Sequence, residues 1–259
     1  MIEPVQSCKI EAVQIVIDGR ILNYIEVNPK GKTDLVVLHG WGHNGGLWQN
    51  LAKSLSTNIH CYLLDLPAFG ASQPLLGHPD IPEYTQTIID FITKVDLKKP
   101  ILLGHSFGGQ VAIDLVVKHN RHISQLILIS PAGIRSFSSI LQIRTKIAHA
   151  LKPLTKIISG STYEKILLFV TGAEYAKTDE LHRQIIRRIL RYDLTPILGE
   201  ISVPTYLIWG SEDREISYGG KIMTEAIPNC QLTVMYGAGH NPHLSHTKKL
   251  AQIINQIHI

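Results

Sequence analysis

Residues 101–109 read ILLGHSFGG and place a Gly-x-Ser-x-Gly pattern between an apolar run and a helical pattern. The apolar run is typical of a short buried strand, and a helix is predicted from Phe107 onward. A serine on so tight a turn has a strained backbone and projects its hydroxyl above the sheet. Only small residues fit two positions before and after it, which accounts for Gly104 and Gly108. The pattern therefore predicts a nucleophile elbow at Ser106.

Two further loops supply the groups that a nucleophilic serine needs. A serine hydroxyl needs a general base, and the base needs an acid to orient it. The run GSED follows the predicted strand TYLIW and offers Glu212 and Asp213, and GAGH follows the strand QLTVM and ends at His240. The order serine, acid, histidine is the one expected after a strand-turn-helix elbow. Because catalytic groups gather at the carboxyl ends of parallel strands, we expect Ser106, one of the two acids and His240 to meet there.

Another loop, HGWG, follows the third predicted strand. Stabilising an oxyanion takes two backbone N–H groups aimed at one oxygen. We expect these donors to be the backbone N–H groups of Trp41 and Phe107. His39 is expected to be a buried hydrogen-bonding residue that shapes the loop, with Gly40 and Gly42 supporting it.

The other histidines near these motifs are interpreted differently. His105, inside the elbow, is expected to pack against the nucleophile and to hydrogen bond nearby groups. His240, His243 and His246 are spaced by three residues, a pattern that could suggest a metal site, but no cysteine or acidic ligand accompanies them. We therefore expect no metal, and we expect His243 and His246 to begin the last helix as surface or helix-face residues.

The order of elements along the chain predicts an α/β fold. Short apolar runs alternate with longer helical patterns, as in a mostly parallel sheet flanked by crossover helices. The predicted strands are Lys9–Ile17, Arg20–Val27, Asp34–Leu38, His60–Asp65, Ile101–Gly104, Ile123–Ile129, Thr205–Trp209 and Gln231–Met235. After the sixth strand only helical patterns occur until the strands resume. We therefore predict a core domain of residues 1–130 and 197–259, with a helical cap insertion at 131–196, too long for a simple loop.

Composition excludes several classes of protein. The chain of 259 residues has a net charge of +4, without the dense basic clusters of a nucleic-acid binder. Three widely spaced cysteines (Cys8, Cys61 and Cys230) make a disulfide framework improbable and suit a reducing compartment. No signal peptide and no transmembrane run is recognisable. We expect a cytoplasmic protein.

The predicted insertion is basic, with eleven Lys or Arg and six Asp or Glu between residues 135 and 200, a surplus of five. Arg183, Arg187, Arg188 and Arg191 lie at helical spacings with apolar residues between them. This pattern predicts an amphipathic helix whose basic face is solvated. The alternative is that the face attracts an anionic substrate, an acyl carrier or a membrane surface.

Together the motifs resemble those of cap-bearing serine hydrolases of the α/β-hydrolase superfamily. HGWG, DLPAFGAS, GHSFGG, GSED and GAGH fall in the family's order and spacing between about residues 34 and 257. The resemblance implies an eight-stranded sheet with a helical cap, and its spacing favours Asp213 over Glu212. Some relatives take the acid from the loop after the sixth strand, here Ser130–Ala132, which has no carboxylate. The HGWG loop and the elbow are also similar to pimeloyl-ester carboxylesterases, although the cap sequence does not support that specificity.

The expected function is hydrolysis of a carboxylic ester or related acyl compound, and the expected substrates are small molecules with an apolar acyl part. Ser106 would attack the carbonyl, His240 would act as base, and Asp213 would orient His240. No cofactor and no nucleic acid are expected. The same scaffold supports carbon–carbon bond hydrolases, perhydrolases and a lyase, and a low-turnover ligand receptor is a further alternative, because a fold does not determine a function.

Overall fold

The computed structural model describes residues 11–77, 79–134, 180–216 and 219–257. Its strands form a single sheet in the order β1-β2-β4-β3-β5-β6-β7-β8. They are β1 (Glu11–Ile17), β2 (Arg20–Val27), β3 (Thr33–Leu38), β4 (Ile59–Leu64), β5 (Ile101–His105), β6 (Gln125–Ile129), β7 (Thr205–Gly210) and β8 (Cys230–Met235). The strands from β3 to β8 are parallel to one another, and β2 is antiparallel to both β1 and β4. The predicted eight-stranded, mostly parallel sheet is confirmed.

The first two strands form the hairpin that Asp18 and Gly19 predict. Both residues have positive φ, at 45° and 73°, and Ile17 pairs directly with Arg20. Two central residues with positive φ match the right-handed twist of the strands they join. This hairpin forms one edge of the sheet, far along the strand order from β7 and β8.

Helices cover both faces of the sheet. They are α1 (Gln49–Ser54), α2 (Ile81–Lys94), α3 (Phe107–His119), α4 (Glu180–Ile189), α5 (Gly220–Ala226), α6 (Pro242–Ser245) and α7 (Thr247–Gln256), with short 3-10 helices at Gly45–Trp48, Asn120–His122 and Thr195–Glu200. Successive side chains of a strand point to opposite faces, so Leu102 belongs to one core and Leu103 to the other. The helices α2, α3, α4 and α5 contribute to the first core, and α1 and α7 to the second.

The C-terminal helical region differs from the prediction of one helix from about His243. It is divided into α6 and α7, with His246 between them in a non-helical conformation. His243, expected on the surface or on a helix face, lies in α6 and is 1% exposed, so its side chain is on the buried face of that helix. Its ring stacks on Trp48, which is also fully buried. His246 is partly exposed.

The predicted insertion is described only at its two ends, because residues 135–179 lie outside the described residues. The returning end contains α4, in which Ile185 and Ile189 are buried in the first core. Arg187, Arg188 and Arg191 are exposed, whereas Arg183 is partly buried. The division into core and cap remains a prediction. In the part of the chain that the structure describes, no helix has both the length and the apolar character needed to cross a membrane.

Candidate active site

Ser106 lies at the sharp turn between β5 and α3, as the motif predicts. Its φ of 50° and ψ of −114° belong to a strained region for a residue with a side chain. Backbone hydrogen bonds hold the turn from several sides. The Ser106 N–H donates to Ile129 O at 3.1 Å, and Ser106 O accepts from the N–H groups of Gln110 and Ala132. The strained conformation is therefore fixed by the neighbouring strand and helix.

Close backbone contacts explain the glycines around this turn. A Cβ on Gly104 would lie 2.6 Å from Gly108 O, and one on Gly108 would lie 2.2 Å from Leu38 O. A Cβ on Gly40 would lie 2.7 Å from His105 Nδ1. Contacts this short are not tolerated, so a larger residue would push apart the turn, the helix and the loop after β3. The absence of side chains lets these three segments meet.

The GSED loop after β7 and the GAGH loop after β8 lie side by side because β7 and β8 are parallel neighbours. The Glu212 N–H donates to Ala238 O at 2.9 Å, and the Gly237 N–H donates to Ser211 Oγ at 2.9 Å. These bonds fix the loop after β7 against the loop after β8. As a result, His240 Nδ1 lies 2.8 Å from Asp213 Oδ2.

The Asp213 carboxylate is held as an ionised acceptor. Burial alone raises the pKa of Asp213. The hydrogen bond and charge of His240 and the N–H of Ile216 lower it by a larger amount, so the net pKa is below its usual value. Asp213 Oδ1 accepts from the N–H groups of Glu215 and Ile216 at 3.0 and 3.1 Å. Glu212 is exposed. Of the two acids left open by the local pattern, Asp213 is the one that contacts His240.

The loop after β3 is shaped by His39, which is fully buried. His39 Nε2 accepts from the Leu66 N–H at 2.9 Å, so Nδ1 carries the proton and donates to Gly40 O at 2.7 Å. Burial lowers the pKa of His39 to about 4, which keeps the ring neutral. Gly42 has a φ of 73°, a left-handed conformation that suits glycine.

These loops surround one small pocket at the carboxyl end of the sheet. The residues that line it are Gly40, Trp41, His43, His105, Ser106, Glu215, His240 and Asn241. It thus brings together the predicted nucleophile, the predicted base and part of the predicted oxyanion loop. Sequence reasoning missed Glu215, whose Oε2 lies 3.9 Å from His240 Nε2, because no motif marks it.

Aromatic side chains pack beside this pocket. Trp41 makes edge contacts with Phe69 and Phe107, with ring centroids 5.0 and 5.6 Å apart. His182 of α4 contacts both Trp41 and Phe69, and its Nε2 lies 3.0 Å from Ala68 O. The segment that returns from the predicted insertion therefore contacts the residues that flank Ser106. Phe69 lies in the DLPAFGAS motif, to which no role was given, and His182 was not predicted, since an isolated His carries no recognisable pattern.

His105 lies behind the nucleophile. It is 1% exposed, and its Nε2 donates to the backbone oxygen of His240 at 2.9 Å. Its ring centroid is 4.8 Å from that of His240. The hydrogen bond from His105 links the elbow to the His240 loop. The contact of His240 with Asp213 links that loop to the loop after β7.

Comparison with known proteins finds lipases and esterases among the similar sequences. The chain is 26% identical to monoacylglycerol lipase abhd6-B of Xenopus laevis over 260 residues, covering 87% of this chain and 75% of that protein. It is also 26% identical to the pimeloyl-[acyl-carrier protein] methyl ester esterase of Hamiltonella defensa, covering 87% and 92% of the two chains. The solved structure of a bacterial membrane phospholipase A superposes with a TM-score of 0.75 at 22% identity, covering 95% of this chain and 84% of that one, a likeness in fold.

A family model matches most of the chain. It is described as the alpha/beta hydrolase family and matches residues 35–253, which include all five sequence motifs. The matched range begins in β3 and ends in α7, so it contains the elbow and both loops that meet at His240. The chain therefore belongs to the alpha/beta hydrolase family.

Proposed function

We propose that this hydrolase cleaves carboxylic esters through an acyl-enzyme on Ser106. The observation that carries the proposal is the 2.8 Å contact between His240 Nδ1 and Asp213 Oδ2, with His240 lining the same pocket as the strained Ser106. An acid, a base and a serine at the carboxyl ends of β7, β8 and β5 are the set that nucleophilic acyl transfer needs.

In the proposed reaction, Asp213 keeps the proton of His240 on Nδ1, so that Nε2 is free to accept a proton. Ser106 Oγ attacks the ester carbonyl carbon while its proton passes to His240 Nε2. Asp213 then stabilises the imidazolium. His240 returns the proton to the departing alkoxide, and the acyl group remains on Ser106. Water, deprotonated by His240, attacks the acyl-enzyme and releases the acid and the free serine.

The backbone N–H groups of Trp41 and Phe107 are the proposed donors to the tetrahedral oxyanion. Phe107 directly follows the nucleophile at the N-terminus of α3, where N–H groups lack partners within the helix. Trp41 lies in the loop that contacts the elbow through Gly40 and His105. Loss of one such donor typically lowers the rate by about 10²–10³-fold.

We infer that the acyl part of the substrate is apolar. Trp41 lines the pocket beside Ser106 and packs against the buried rings of Phe69 and Phe107, so this wall of the pocket is aromatic and favours burial of hydrocarbon. The relatives named monoacylglycerol lipase and pimeloyl-[acyl-carrier protein] methyl ester esterase are both named for acyl esters. Attraction of an anionic carrier or surface stays a prediction, based on the exposed Arg187, Arg188 and Arg191. A cytoplasmic location also stays a prediction.

Burst kinetics test the proposal. p-Nitrophenyl esters from acetate to decanoate would be mixed with the wild type and with Ser106→Ala, and p-nitrophenol release followed before steady state. The proposal predicts a burst of one p-nitrophenol per active chain in the wild type alone, with better turnover of the longer acyl chains. Absence of ester turnover, with Ser106 still labelled by a fluorophosphonate, would favour a carbon–carbon bond substrate. Absence of both would favour a ligand receptor.

A further inference from the structure

Three histidines from separate segments converge behind the nucleophile. His43 follows the HGWG loop, His105 ends β5, and His243 lies in α6. One ring nitrogen from each lies within 4.8 Å of the others. This cluster differs from the trio His240, His243 and His246 that the sequence spacing suggested, and shares only His243 with it.

The buried rings of this cluster have nitrogens without protein partners. His105 and His243 are each 1% exposed. Among the described residues, His105 Nδ1 and both ring nitrogens of His243 have no hydrogen-bond partner. Burying a polar group without a partner costs free energy, and native proteins rarely retain such groups without a reason.

The chemistry of the rings suits metal ligation. His105 Nε2 donates to His240 O, so its lone pair is on Nδ1, in the arrangement by which metal-binding histidines are usually oriented. Burial lowers the pKa of His243 to about 3 and that of His105 well below its usual value, so both rings are neutral. His243 is also fixed in place, since its ring stacks on Trp48 at 4.1 Å with an interplanar angle of 2°.

We propose that His43, His105 and His243 form a binding site for a divalent transition-metal ion of the Zn²⁺ type. Tetrahedral zinc with Zn–N distances of about 2.0–2.1 Å brings its nitrogen ligands to about 3.3 Å from one another. Ring nitrogens that lie up to 4.8 Å apart must therefore approach one another by up to about 1.5 Å. His43 is only partly buried and lines the pocket beside Ser106, so it is the ring with room to move. The pocket also offers the ion a route in and a place for a water as fourth ligand.

Binding of the ion has a consequence for catalysis, and this part rests on the proposed function. The rings of His105 and His240 are 4.8 Å apart between centroids. His43 and His105 line the same pocket as Ser106 and His240, so an ion held by these two rings, with its bound water, would occupy space that the ester needs. We therefore expect the bound ion to inhibit ester hydrolysis.

Metal binding is tested first, independently of activity. Full-length protein without a histidine tag is stripped with a chelator and dialysed against Zn²⁺, and the bound zinc is measured by elemental analysis. The proposal predicts one ion per chain and a Tm that rises with Zn²⁺ concentration and falls again with EDTA. His243→Phe keeps a ring against Trp48 and is expected to lose the ion. His43→Leu is a second variant that decides the matter if His243→Phe does not fold.

His246→Phe is the matched control, because it removes a partly exposed histidine three residues further along the chain. It is expected to keep one ion per chain. No zinc on the wild type, or full zinc on folded His243→Phe or on His43→Leu, would overturn the site. Hydrolysis of p-nitrophenyl esters is then titrated with Zn²⁺ and is expected to fall with occupancy in the wild type and in His246→Phe. Zinc bound without loss of activity would overturn the inhibition, and zinc bound by a protein inactive on every ester would contradict only the proposed function.

Discussion

At the scale of single residues, two adjacent carboxylates follow β7 but only Asp213 faces His240. Asp213→Asn keeps the shape of the side chain but removes its charge and disturbs the tautomer of His240, so we expect kcat on p-nitrophenyl esters to fall by about 10⁴-fold. Glu212→Gln is the matched control, since Glu212 is exposed beside it. We expect this variant to retain the kcat of the wild type. Equal losses in the two variants would contradict the assignment of Asp213.

His39 gives a prediction about stability and pH. Burial lowers its pKa from 6.5 to about 4, so between these values the unfolded chain binds a proton that the folded chain does not. The free energy of unfolding should therefore fall as the pH decreases from 6.5 towards 4, by up to about 1.4 kcal/mol per pH unit from this residue. Urea unfolding at a series of pH values measures the slope. His39→Gln, which cannot titrate, should have a shallower slope than the wild type.

The control for this experiment is His122→Gln, because His122 is exposed. Its slope should match that of the wild type. A slope for His39→Gln as steep as that of the wild type would show that His39 is not the buried neutral ring described above.

Sequence reasoning located the residues that belong to motifs and missed those that do not. Ser106, Asp213 and His240 each follow a predicted strand at a recognisable sequence, so their meeting at one sheet edge could be predicted. His243 was expected on the surface or on a helix face, and the sequence did not decide between the two, because helical spacing does not reveal which side of a short helix is buried. Its stack with Trp48 joins residues almost 200 positions apart, which no local pattern records.

At the scale of elements, α3 anchors the segment that returns from the predicted insertion. Gln110 Nε2 donates to Ile189 O and Tyr192 O at 3.0 and 2.9 Å. The Tyr192 hydroxyl donates to Asp114 Oδ1 at 2.6 Å, and the Asp114 side chain is fully buried. These bonds tie the end of α4 to the helix that begins at the nucleophile.

Tyr192→Phe tests this anchor. Removing the hydroxyl leaves a buried carboxylate with one donor fewer, so we expect the free energy of unfolding to fall by about 1–3 kcal/mol in urea titrations. Tyr236→Phe makes the same chemical change at a tyrosine that is 77% exposed, and should leave the free energy of unfolding near that of the wild type. Similar values for the two variants would show that the Tyr192 hydroxyl does not anchor the segment.

The strands were easier to predict than the last helices. The apolar runs and the Asp18-Gly19 turn marked the strands to within a few residues, because burial on both faces leaves continuous apolar stretches. The break between α6 and α7 was not predicted. His246 adopts a non-helical conformation there, and neither proline nor glycine marks the position.

At the scale of the whole molecule, the order of strands in the sheet brings the segments that follow β3, β5, β7 and β8 to one pocket. The alternation of elements predicted an α/β sheet, and five motifs in order indicated the family that the comparisons then supplied. Which helices cover which face could not be predicted, since amphipathic patterns do not specify their partners. The described part of the predicted insertion joins the first core through Ile185 and Ile189, a contact between segments far apart in the sequence.

The central claim is that Ser106 is a nucleophile activated by His240. Reaction of the full-length protein with a fluorophosphonate, followed by intact-mass measurement and peptide mapping, tests it most directly. The account predicts one adduct per chain, on the peptide that contains Ser106, absent from Ser106→Ala and formed far more slowly in His240→Ala. No adduct on the folded wild type, an adduct on another residue, or equal labelling of His240→Ala would contradict it.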